Sequence, residues 1–265
     1  DFSGSGVEDG SATRHLDKYQ DRLASLERRQ ISSDVIELTQ KEYEEHVSQL
    51  SADLDRAWAN DERVGSLKIA IQLAKLLADT NNPQFYPTVF VLVTDVLDRF
   101  GDMVFKRLKF KAEEAINEAA GTASSKKKFT LGDDFTANEI PASAKDTCRN
   151  WFYKSACIRE LLPRVYVEIA LFKCYRFLTT DADMPAILTR LGSIIRGIGD
   201  PLVSCYARTY LVVVGKEVSP QQTQHVIVLL QDILFSFSVL REEHMVSEMK
   251  KGKITEKAYI YLLSP

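Results

Sequence analysis

Apolar residues recur along most of this chain at spacings of three and four, which is the period of an amphipathic α-helix. The pattern is broadest from Glu62 to Asp79, where two apolar stripes merge into one wide face. A helix with so wide an apolar face is buried on more than one side. The segment is followed by Thr80-Asn81-Asn82-Pro83, where asparagine can close a helix and proline cannot continue one. We therefore predict a buried helix that ends before Pro83.

A run of β-branched and aromatic residues from Thr88 to Thr94 would suit a buried strand by propensity alone. Charged residues then follow at helical spacing, at Asp95, Arg99 and Asp102, with apolar residues on another face. Because the charged and apolar residues lie on different faces, we predict one long helix that runs from about Pro87 toward Ala119.

Proline and serine divide the second half of the chain into further predicted helices. Pro163 meets a helical pattern that runs from Asp146 to Phe177, so it either kinks one helix or separates two. Ser219 and Pro220 predict a helix start, with serine as the cap and proline in the first turn. In total the pattern predicts about nine or ten helices and no convincing strand. The other predicted helices run from Thr13, from a Thr39 cap to Trp58, from Met184 to Arg196, from Pro201 to Val214, from Ser219 to about Glu248, and from Thr255 to the end.

Two segments lack helical periodicity. Residues 1–12 are mostly glycine, serine and acidic residues, a composition typical of a flexible tail. Residues 121–143 contain glycines, Pro141 and the run Lys126-Lys127-Lys128, and predict a surface loop. We interpret the lysines as solvated; contact with lipid headgroups is the alternative, although three charges are fewer than the clusters that hold proteins on membranes. The remainder, 13–265, is predicted to be helical.

Helices joined by short turns fit two all-α architectures. One is an array of antiparallel helix hairpins and the other is a compact bundle. No strict repeat is visible in the sequence. HEAT-type repeats of about 40 residues often diverge so far that a missing period counts only weakly against an array. Periodicity therefore predicts the all-α class and leaves the architecture open.

Composition narrows the classes of function. The chain of 265 residues has 34 Lys and Arg against 37 Asp and Glu, a net charge of −3, and a pI near 5.9. A protein that binds duplex nucleic acid usually has a basic face, because phosphate contacts supply most of the affinity. Nucleic acid is therefore not a predicted partner. The longest apolar runs also fall far short of the ~20 residues needed to cross a bilayer as a helix.

No pattern of catalytic or metal-binding residues stands out. The four cysteines have no C-x-x-C spacing, and we interpret them as small buried apolar residues. The four histidines are scattered singly, without the spacing that places two metal ligands on one helical face. No serine or cysteine lies in a recognisable nucleophile motif. The sequence thus predicts no enzyme, no metal and no cofactor. The cysteines are Cys148, Cys157, Cys174 and Cys205.

The glycines between Arg196 and Pro201 come nearest to a phosphate-binding loop. Gly197 and Gly199 lack both a third glycine and a preceding strand, and Asp200 would repel a phosphate. We predict an interhelical turn instead. In it the glycines supply permissive dihedral angles, and Asp200 with Pro201 starts the next helix.

Residues 159–169 interleave arginines, carboxylates, a proline and a tyrosine. One interpretation is a helix kink at which Arg159 and Arg164 pair with nearby acids, including Glu160 and Glu168. The other is a docking surface, because arginine and tyrosine are enriched among the residues that dominate interface energies. The residue pattern alone favours neither interpretation.

Five blocks of the sequence are distinctive: Leu67 to Thr80, Phe85 to Pro87, Leu92 to Gly101, Cys148 to Phe152 and Ile195 to Arg208. Together they closely resemble the large subunit of retriever, a retromer-like complex that recycles membrane proteins from endosomes. The resemblance extends from about Leu54 to Gly215. Members of this family are HEAT-like α-solenoids, so the resemblance implies the array of hairpins. It also implies that 13–265 is the N-terminal part of a longer solenoid.

The sequence Pro-Arg-Val-Tyr-Val-Glu at 163–168 is similar to the Pro-Arg-Leu-Tyr motif with which the retromer large subunit holds its arrestin-fold partner. The resemblance implies an equivalent contact in this chain. Val165 stands where the retromer motif has leucine, a difference of one methylene worth about 1 kcal/mol. The residues of the implied contact are Pro163, Arg164, Val165, Tyr166, Val167 and Glu168.

The resemblance further implies a function and partners. The expected function is a non-enzymatic scaffold, cytoplasmic and on endosomes, that supports retrieval of membrane cargo to the cell surface. The implied partners are the arrestin-fold subunit, a phosphoesterase-fold subunit that binds mainly a C-terminal region absent here, a cargo adaptor and a coiled-coil recycling assembly. Membrane association would be peripheral, through the complex. The alternative is the large subunit of retromer, and a remoter one is an all-α enzyme or lipid-binding module with an internal pocket.

Overall fold

The computed structural model describes residues 40–121, 129–240, 243–251 and 254–263. Within these ranges the chain forms ten α-helices and three 3₁₀ helices, and no strand. The predicted tail, the predicted helix from Thr13, the Thr39 cap and the lysine run at 126–128 lie outside them. The α-helices are α1 (Gln40–Ala59), α2 (Arg63–Leu76), α3 (Tyr86–Ala119), α4 (Ala142–Ala156), α5 (Leu161–Ala170), α6 (Met184–Ile195), α7 (Pro201–Val218), α8 (Gln224–Val239), α9 (Glu243–Lys251) and α10 (Glu256–Leu262). The 3₁₀ helices are Pro83–Phe85, Ala137–Glu139 and Phe172–Phe177.

The helices of residues 40–240 pack mainly on neighbours in sequence. Helix α1 packs on α2 and α3, and the three helices α6, α7 and α8 pack on one another. Between these groups lies α5, which contacts α2, α3, α4, α6 and α7. Stacking of successive helices in this way is the arrangement of an α-solenoid. The all-α solenoid expected from the family resemblance is therefore confirmed.

The long helix predicted after Pro87 is confirmed. Helix α3 spans 34 residues without interruption, with Pro87 in its first turn, where a missing N–H costs nothing. Its apolar face is buried from Tyr86 through Val93 and Phe100 to Ala112. The strand propensity of residues 88–94 is overridden because the apolar face continues at helical spacing for the full length of the helix.

The predicted helix start at Ser219 and Pro220 is wrong. Helix α7 continues to Val218, and the N–H of Ser219 completes it by donating to Gly215 O at 2.9 Å. Pro220 has no N–H and so cannot prolong α7, which makes the pair a stop signal instead of a start signal. Helix α8 begins five residues later than Ser219, at Gln224, and ends at Val239, before the predicted end near Glu248.

The segment predicted as a surface loop after Gly121 is partly built into the core, and α4 already begins at Ala142. Phe135 is buried and its ring lies 4.8 Å from the ring of Phe177. The side chain of Asn117 on α3 holds the backbone of Phe129 in both directions, accepting from its N–H at 2.7 Å and donating to its carbonyl at 3.0 Å. Apolar anchors and a backbone clamp thus fix the described part of this loop against α3 and the 172–177 turn.

Helices α3 and α5 come into close backbone contact at Gly101. A Cβ atom placed on Gly101 would lie 2.0 Å from the carbonyl oxygen of Ala170, far inside any permitted contact. Gly101 is itself buried, and its neighbours Phe100 and Val104 are fully buried. The absence of a side chain at this position therefore allows the two helices to pack backbone to backbone.

Replacement Gly101→Ala is expected to destabilise the fold by about 1–3 kcal/mol, because the new methyl group overlaps a backbone carbonyl that cannot rotate away. The measurement is urea unfolding followed by circular dichroism. Gly132→Ala serves as the matched control, since Gly132 is exposed and a Cβ there meets nothing within 4 Å. Equal unfolding midpoints for the two variants would contradict the close approach of α3 and α5.

Candidate partner-binding site

Pro163 lies in the first turn of α5 and separates two helices. Helix α4 ends at Ala156, and Glu160, in an extended conformation (φ −77°, ψ 130°), precedes the first residue of α5. The N–H groups of the first turn of a helix have no partner within the helix, so the missing N–H of proline removes no hydrogen bond. Of the two possibilities for Pro163, separation and not a kink is the one observed.

Three residues of the 163–168 motif point into the protein core. Val165, Tyr166 and Val167 are each at most 1% exposed. The ring of Tyr166 stacks on that of Tyr210 at a centroid distance of 5.5 Å and an interplanar angle of 18°. Burial raises the pKa of the Tyr166 hydroxyl well above its ordinary value. These side chains fix α5 in the core, and the difference between Val165 and the leucine of the retromer motif concerns core packing.

Tyr210 extends the same arrangement to α3. Its hydroxyl donates to the Asp98 carboxylate at 2.5 Å. Burial raises the pKa of Asp98, which the hydrogen bond from Tyr210 partly offsets. The stacking of Tyr166 on Tyr210 thus joins α5 to α7, and the hydrogen bond from Tyr210 to Asp98 joins α7 to α3.

Glu168 is held by two groups from outside α5. Tyr175 donates its hydroxyl to the Glu168 carboxylate at 2.7 Å, and Arg190 on α6 forms an ion pair with the same oxygen. The side chain of Glu168 is 9% exposed and that of Arg190 is 44% exposed, so the pair lies at the edge of the core. Burial lowers the pKa of the Arg190 guanidinium, but the hydrogen bond and the negative charge of Glu168 raise it by more. The net shift of this pKa is therefore upward. The carboxylate of Glu168 is therefore used inside the fold.

Arg164 is the cationic member of the motif, and it is partly exposed. The acids one turn before and after it, Glu160 and Glu168, are the usual partners of an arginine on a helix. Glu160 instead pairs with Lys75 on α2, and Glu168 pairs with Arg190. Among the described residues Arg164 has no ion pair within 4.0 Å and its buried Nε has no hydrogen-bond partner. The pairing of Arg159 and Arg164 with these two acids, which was one of the two interpretations of this segment, is therefore not observed.

The turn between α6 and α7 lies beside the start of α5. Asp200 accepts a hydrogen bond from the N–H of Val203 at 3.0 Å and Pro201 is the first residue of α7, which is the helix start expected at this position. A Cβ on Gly197 would lie 2.9 Å from Cδ2 of Leu161, so Gly197 lets the turn pack on the first residue of α5. Among the described residues positive φ occurs only at Asp61 and Gly121, so Gly197 and Gly199 are not required for permissive dihedral angles.

The cysteines divide into two groups. Cys148, Cys174 and Cys205 are buried, as expected, whereas Cys157 is exposed at the end of α4, so the expectation is wrong for that residue. Burial raises the pKa of the Cys205 thiol to about 11 and that of Cys148 to about 12. Thiols with pKa values so far above neutrality stay protonated and are poor nucleophiles and poor metal ligands.

The described residues contain neither a cluster of metal ligands nor a membrane-spanning helix. Within residues 40–121, 129–240, 243–251 and 254–263, no group of three or more His, Cys, Asp or Glu side chains is placed to share a metal ion. None of the helices in these same ranges combines the length and the apolar character that crossing a bilayer requires.

A surface cleft of about 450 Å³ bears on the lipid-binding alternative. It lies between the 83–85 turn and α10, is wide open to solvent, and is lined in part by Ile254, Ala258 and Leu262. A pocket that takes up a small molecule normally encloses most of the ligand and presents a few converging polar groups. This cleft is shallow and its exposed lining is mainly apolar, so it gives the alternative no positive support.

The side chains that bind Glu160 and Glu168 could not be identified from the sequence. Lys75, Tyr175 and Arg190 come from three other elements, and Lys75 lies 85 residues before its acid. Spacing along one helix can suggest pairs three or four residues apart, but it carries no information on pairs formed between helices. The single available signal was the crowding of charges at residues 159–169.

Replacement Glu168→Gln is expected to lower the free energy of unfolding by about 1–3 kcal/mol, because Arg190 and Tyr175 then lose their charged acceptor in a largely buried site. Urea unfolding at neutral pH followed by circular dichroism measures the change. Glu160→Gln is the matched control, because it removes a carboxylate at the start of the same helix. The ion pair of Glu160 with Lys75 is exposed, so its loss should lower the free energy of unfolding by less than about 1 kcal/mol. A larger loss for Glu160→Gln than for Glu168→Gln would show that the buried pair does not stabilise the fold.

The chain matches a family model described as VPS35L over residues 4–262. It is also similar to curated proteins called VPS35 endosomal protein-sorting factor-like. The zebrafish protein, from Danio rerio, is 39% identical over 94% of this chain and 25% of its own length. The Drosophila melanogaster protein is 45% identical over 78% of this chain and 21% of its own length, and the Homo sapiens protein is 38% identical over 97% and 26%. The chain thus spans about a quarter of the length of the curated relatives it matches.

Proposed function

This chain belongs to the VPS35 endosomal protein-sorting factor-like family, and we propose that it serves as a non-enzymatic scaffold of the retriever complex. In that role it binds the arrestin-fold subunit and supports the return of membrane cargo from endosomes to the cell surface. The protein acts in the cytoplasm, on endosomes, and reaches the membrane through the complex. The observation that carries the proposal is the family match over nearly the whole chain, combined with a cation on α5 that no acid of the described fold neutralises.

Residues 163–168 comprise residues that position α5 and one residue that a partner can contact. Val165, Tyr166 and Val167 are buried and hold α5 between its neighbours. Pro163 sets the start of the helix, and Glu168 joins it to α6. These five residues therefore act by positioning, and Arg164 is left as the residue that a partner can contact.

The charge of Arg164 supports an acidic partner. Partial burial of a guanidinium costs desolvation free energy, and without an ion pair this cost is not offset. A carboxylate from a partner would supply the missing acceptor. The planar guanidinium can bind a carboxylate through two parallel hydrogen bonds, which fixes direction as well as distance. We therefore assign to the arrestin-fold subunit an Asp or Glu that faces Arg164.

Other partners follow from the family and not from residues of this chain. A phosphoesterase-fold subunit would bind mainly a C-terminal region absent here, and a cargo adaptor and a coiled-coil recycling assembly would bind the assembled complex. The large subunit of retromer remains the second candidate, because it shares the fold and the type of arrestin-like partner. The relatives named above favour the retriever assignment, since they carry the name of the VPS35-like factor.

Replacement Arg164→Glu is expected to abolish retention of the arrestin-fold subunit in a pull-down, since reversing a charge at a buried pair costs about 2–5 kcal/mol and lowers affinity by about 30-fold or more. Arg149→Glu is the control, because Arg149 is an exposed arginine on neighbouring α4 that forms a local ion pair with Asp146. Circular dichroism establishes that both variants are folded.

The variant Arg164→Gln guards against an indirect effect. A glutamate at 164 would stand one turn from Glu160 and Glu168 and could weaken α5 by repulsion. Glutamine removes the charge without adding one, so it should reduce retention by a smaller but measurable factor. Retention equal to that of the unaltered chain by folded Arg164→Glu and Arg164→Gln would refute the docking assignment.

Binding to the two arrestin-like subunits should separate retriever from retromer. The chain is expected to bind the retriever subunit more tightly, by at least about tenfold, corresponding to 1.4 kcal/mol. Titration calorimetry with each purified subunit measures the two affinities under the same salt and pH. Equal affinities, or a preference for the retromer subunit, would favour the second candidate.

A further inference from the structure

Arg190 on α6 holds the carboxylate of Glu168 in a network of three side chains. Its guanidinium donates to Glu168 and, at 3.0 Å, to the hydroxyl of Tyr175. The same Tyr175 hydroxyl donates to the Glu168 carboxylate at 2.7 Å. Each of the three side chains thus contacts the other two. Because the guanidinium is planar and binds two acceptors, its position beside Glu168 is fixed, although 44% of the Arg190 side chain is exposed.

Helix α6 runs antiparallel to α5, and Arg164 lies between two of their contacts. Leu161, the first residue of α5, packs against Gly197, which follows α6. Glu168, near the end of α5, instead meets Arg190 in the middle of α6. Arg164 stands three residues after Leu161 and four before Glu168. Residues four apart on a helix have Cβ atoms about 5–6 Å apart, so the Arg164 guanidinium can reach the Glu168 carboxylate.

Removal of Arg190 would leave the Glu168 carboxylate with the neutral hydroxyl of Tyr175 as its donor. The Glu168 side chain is only 9% exposed. A largely buried charge that has lost its counter-ion is strongly destabilising. Arg164 is the only basic residue of α5. We therefore expect Glu168 to form an ion pair with Arg164 when Arg190 is absent.

We infer that Arg190 is a positioning residue of the proposed docking site, because by binding Glu168 it leaves the Arg164 guanidinium available to a carboxylate of the partner. The inference rests on the function proposed above and names a residue on which that site depends, without requiring Arg190 to touch the partner. An Arg164 bound to Glu168 would have to lose this internal ion pair before it could bind an external carboxylate. The apparent affinity then falls in proportion to the fraction of molecules in which Arg164 is free.

Lys75 on α2 has the same relation to Glu160, the other acid one turn from Arg164. This ion pair is exposed, since 46% of the Lys75 side chain and 59% of the Glu160 side chain are accessible. Exposed pairs contribute little to stability because water and salt screen their charges. Glu160 without Lys75 would therefore compete only weakly for Arg164, and the larger effect belongs to Arg190.

A double-mutant cycle on the affinity for the purified arrestin-fold subunit tests the inference, with titration calorimetry on the full-length chain as the measurement. Arg190→Gln should lower the affinity about five- to tenfold, because Glu168 then binds Arg164. With Glu168→Gln already present the competing carboxylate is absent, so Arg190→Gln should change the affinity by less than about twofold. Arg190→Lys keeps a positive charge beside Glu168 and should lower the affinity less than Arg190→Gln does.

Lys75→Gln is the matched control for the loss of one positive charge near the site, and it should lower the affinity by less than about twofold. Circular dichroism establishes that each variant is folded. Urea unfolding of the same chain supplies a readout that needs no partner. Arg164→Gln should shift the unfolding midpoint at least about twice as far in the Arg190→Gln background as in the unaltered chain, because only there does it break an ion pair.

An equal loss of affinity from Arg190→Gln with and without Glu168→Gln would overturn the inference, since Arg190 would then contact the partner or act through its charge alone. No loss of affinity from Arg190→Gln would overturn it as well. If the unaltered chain does not bind the arrestin-fold subunit, the proposed function fails. A larger midpoint shift in the Arg190→Gln background would in that case still support the effect of Arg190 on Arg164, and equal shifts would overturn it.

Discussion

The close approach of α3 and α5 at Gly101 determines how the rest of the described fold is arranged. Because the two backbones meet without an intervening side chain, α5 lies deep between α2, α3, α4, α6 and α7. The stacked rings of Tyr166 and Tyr210 and the hydroxyl bond to Asp98 then join α5 to α7 and α3. A helix of only ten residues is in this way the common neighbour of five others.

The burial of residues on α5 affects how the similarity of residues 163–168 to a partner-binding motif is interpreted. A sequence similar to a partner-binding motif would ordinarily be imagined as a row of exposed contacts, yet five of the six residues here are buried. Similarity over such a motif reflects the demands of packing as much as those of binding. The one residue of the six that is not buried is Arg164, whose helical neighbours Glu160 and Glu168 pair with cations from α2 and α6. The fold thus leaves Arg164 charged without an internal partner by occupying its two nearest acids.

Much of the fold could be predicted from the sequence, because helical periodicity reports burial directly. The 34-residue α3 and the start of α7 after its cap Asp200 followed from apolar spacing and from capping chemistry. Ser219 and Pro220 were misread because a serine and proline pair can close one helix as well as open another, and only the hydrogen bond to Gly215 decides. The contacts around the proposed site were not predictable from the sequence. Lys75, Tyr175 and Arg190 reach it through tertiary packing that periodicity does not encode.

The aromatic cluster of Trp58, Trp151 and Phe100 has a consequence for spectroscopy. Trp58 and Trp151 are the only two tryptophans of the chain, and their rings stack 6.3 Å apart with Phe100 beside them. Intrinsic tryptophan emission therefore reports on a single junction, where α1, α3 and α4 meet. Helices α6 to α10 contain no tryptophan, so their opening would leave the emission spectrum almost unchanged. Fluorescence and circular dichroism would then give different unfolding curves wherever the two ends of the segment melt separately.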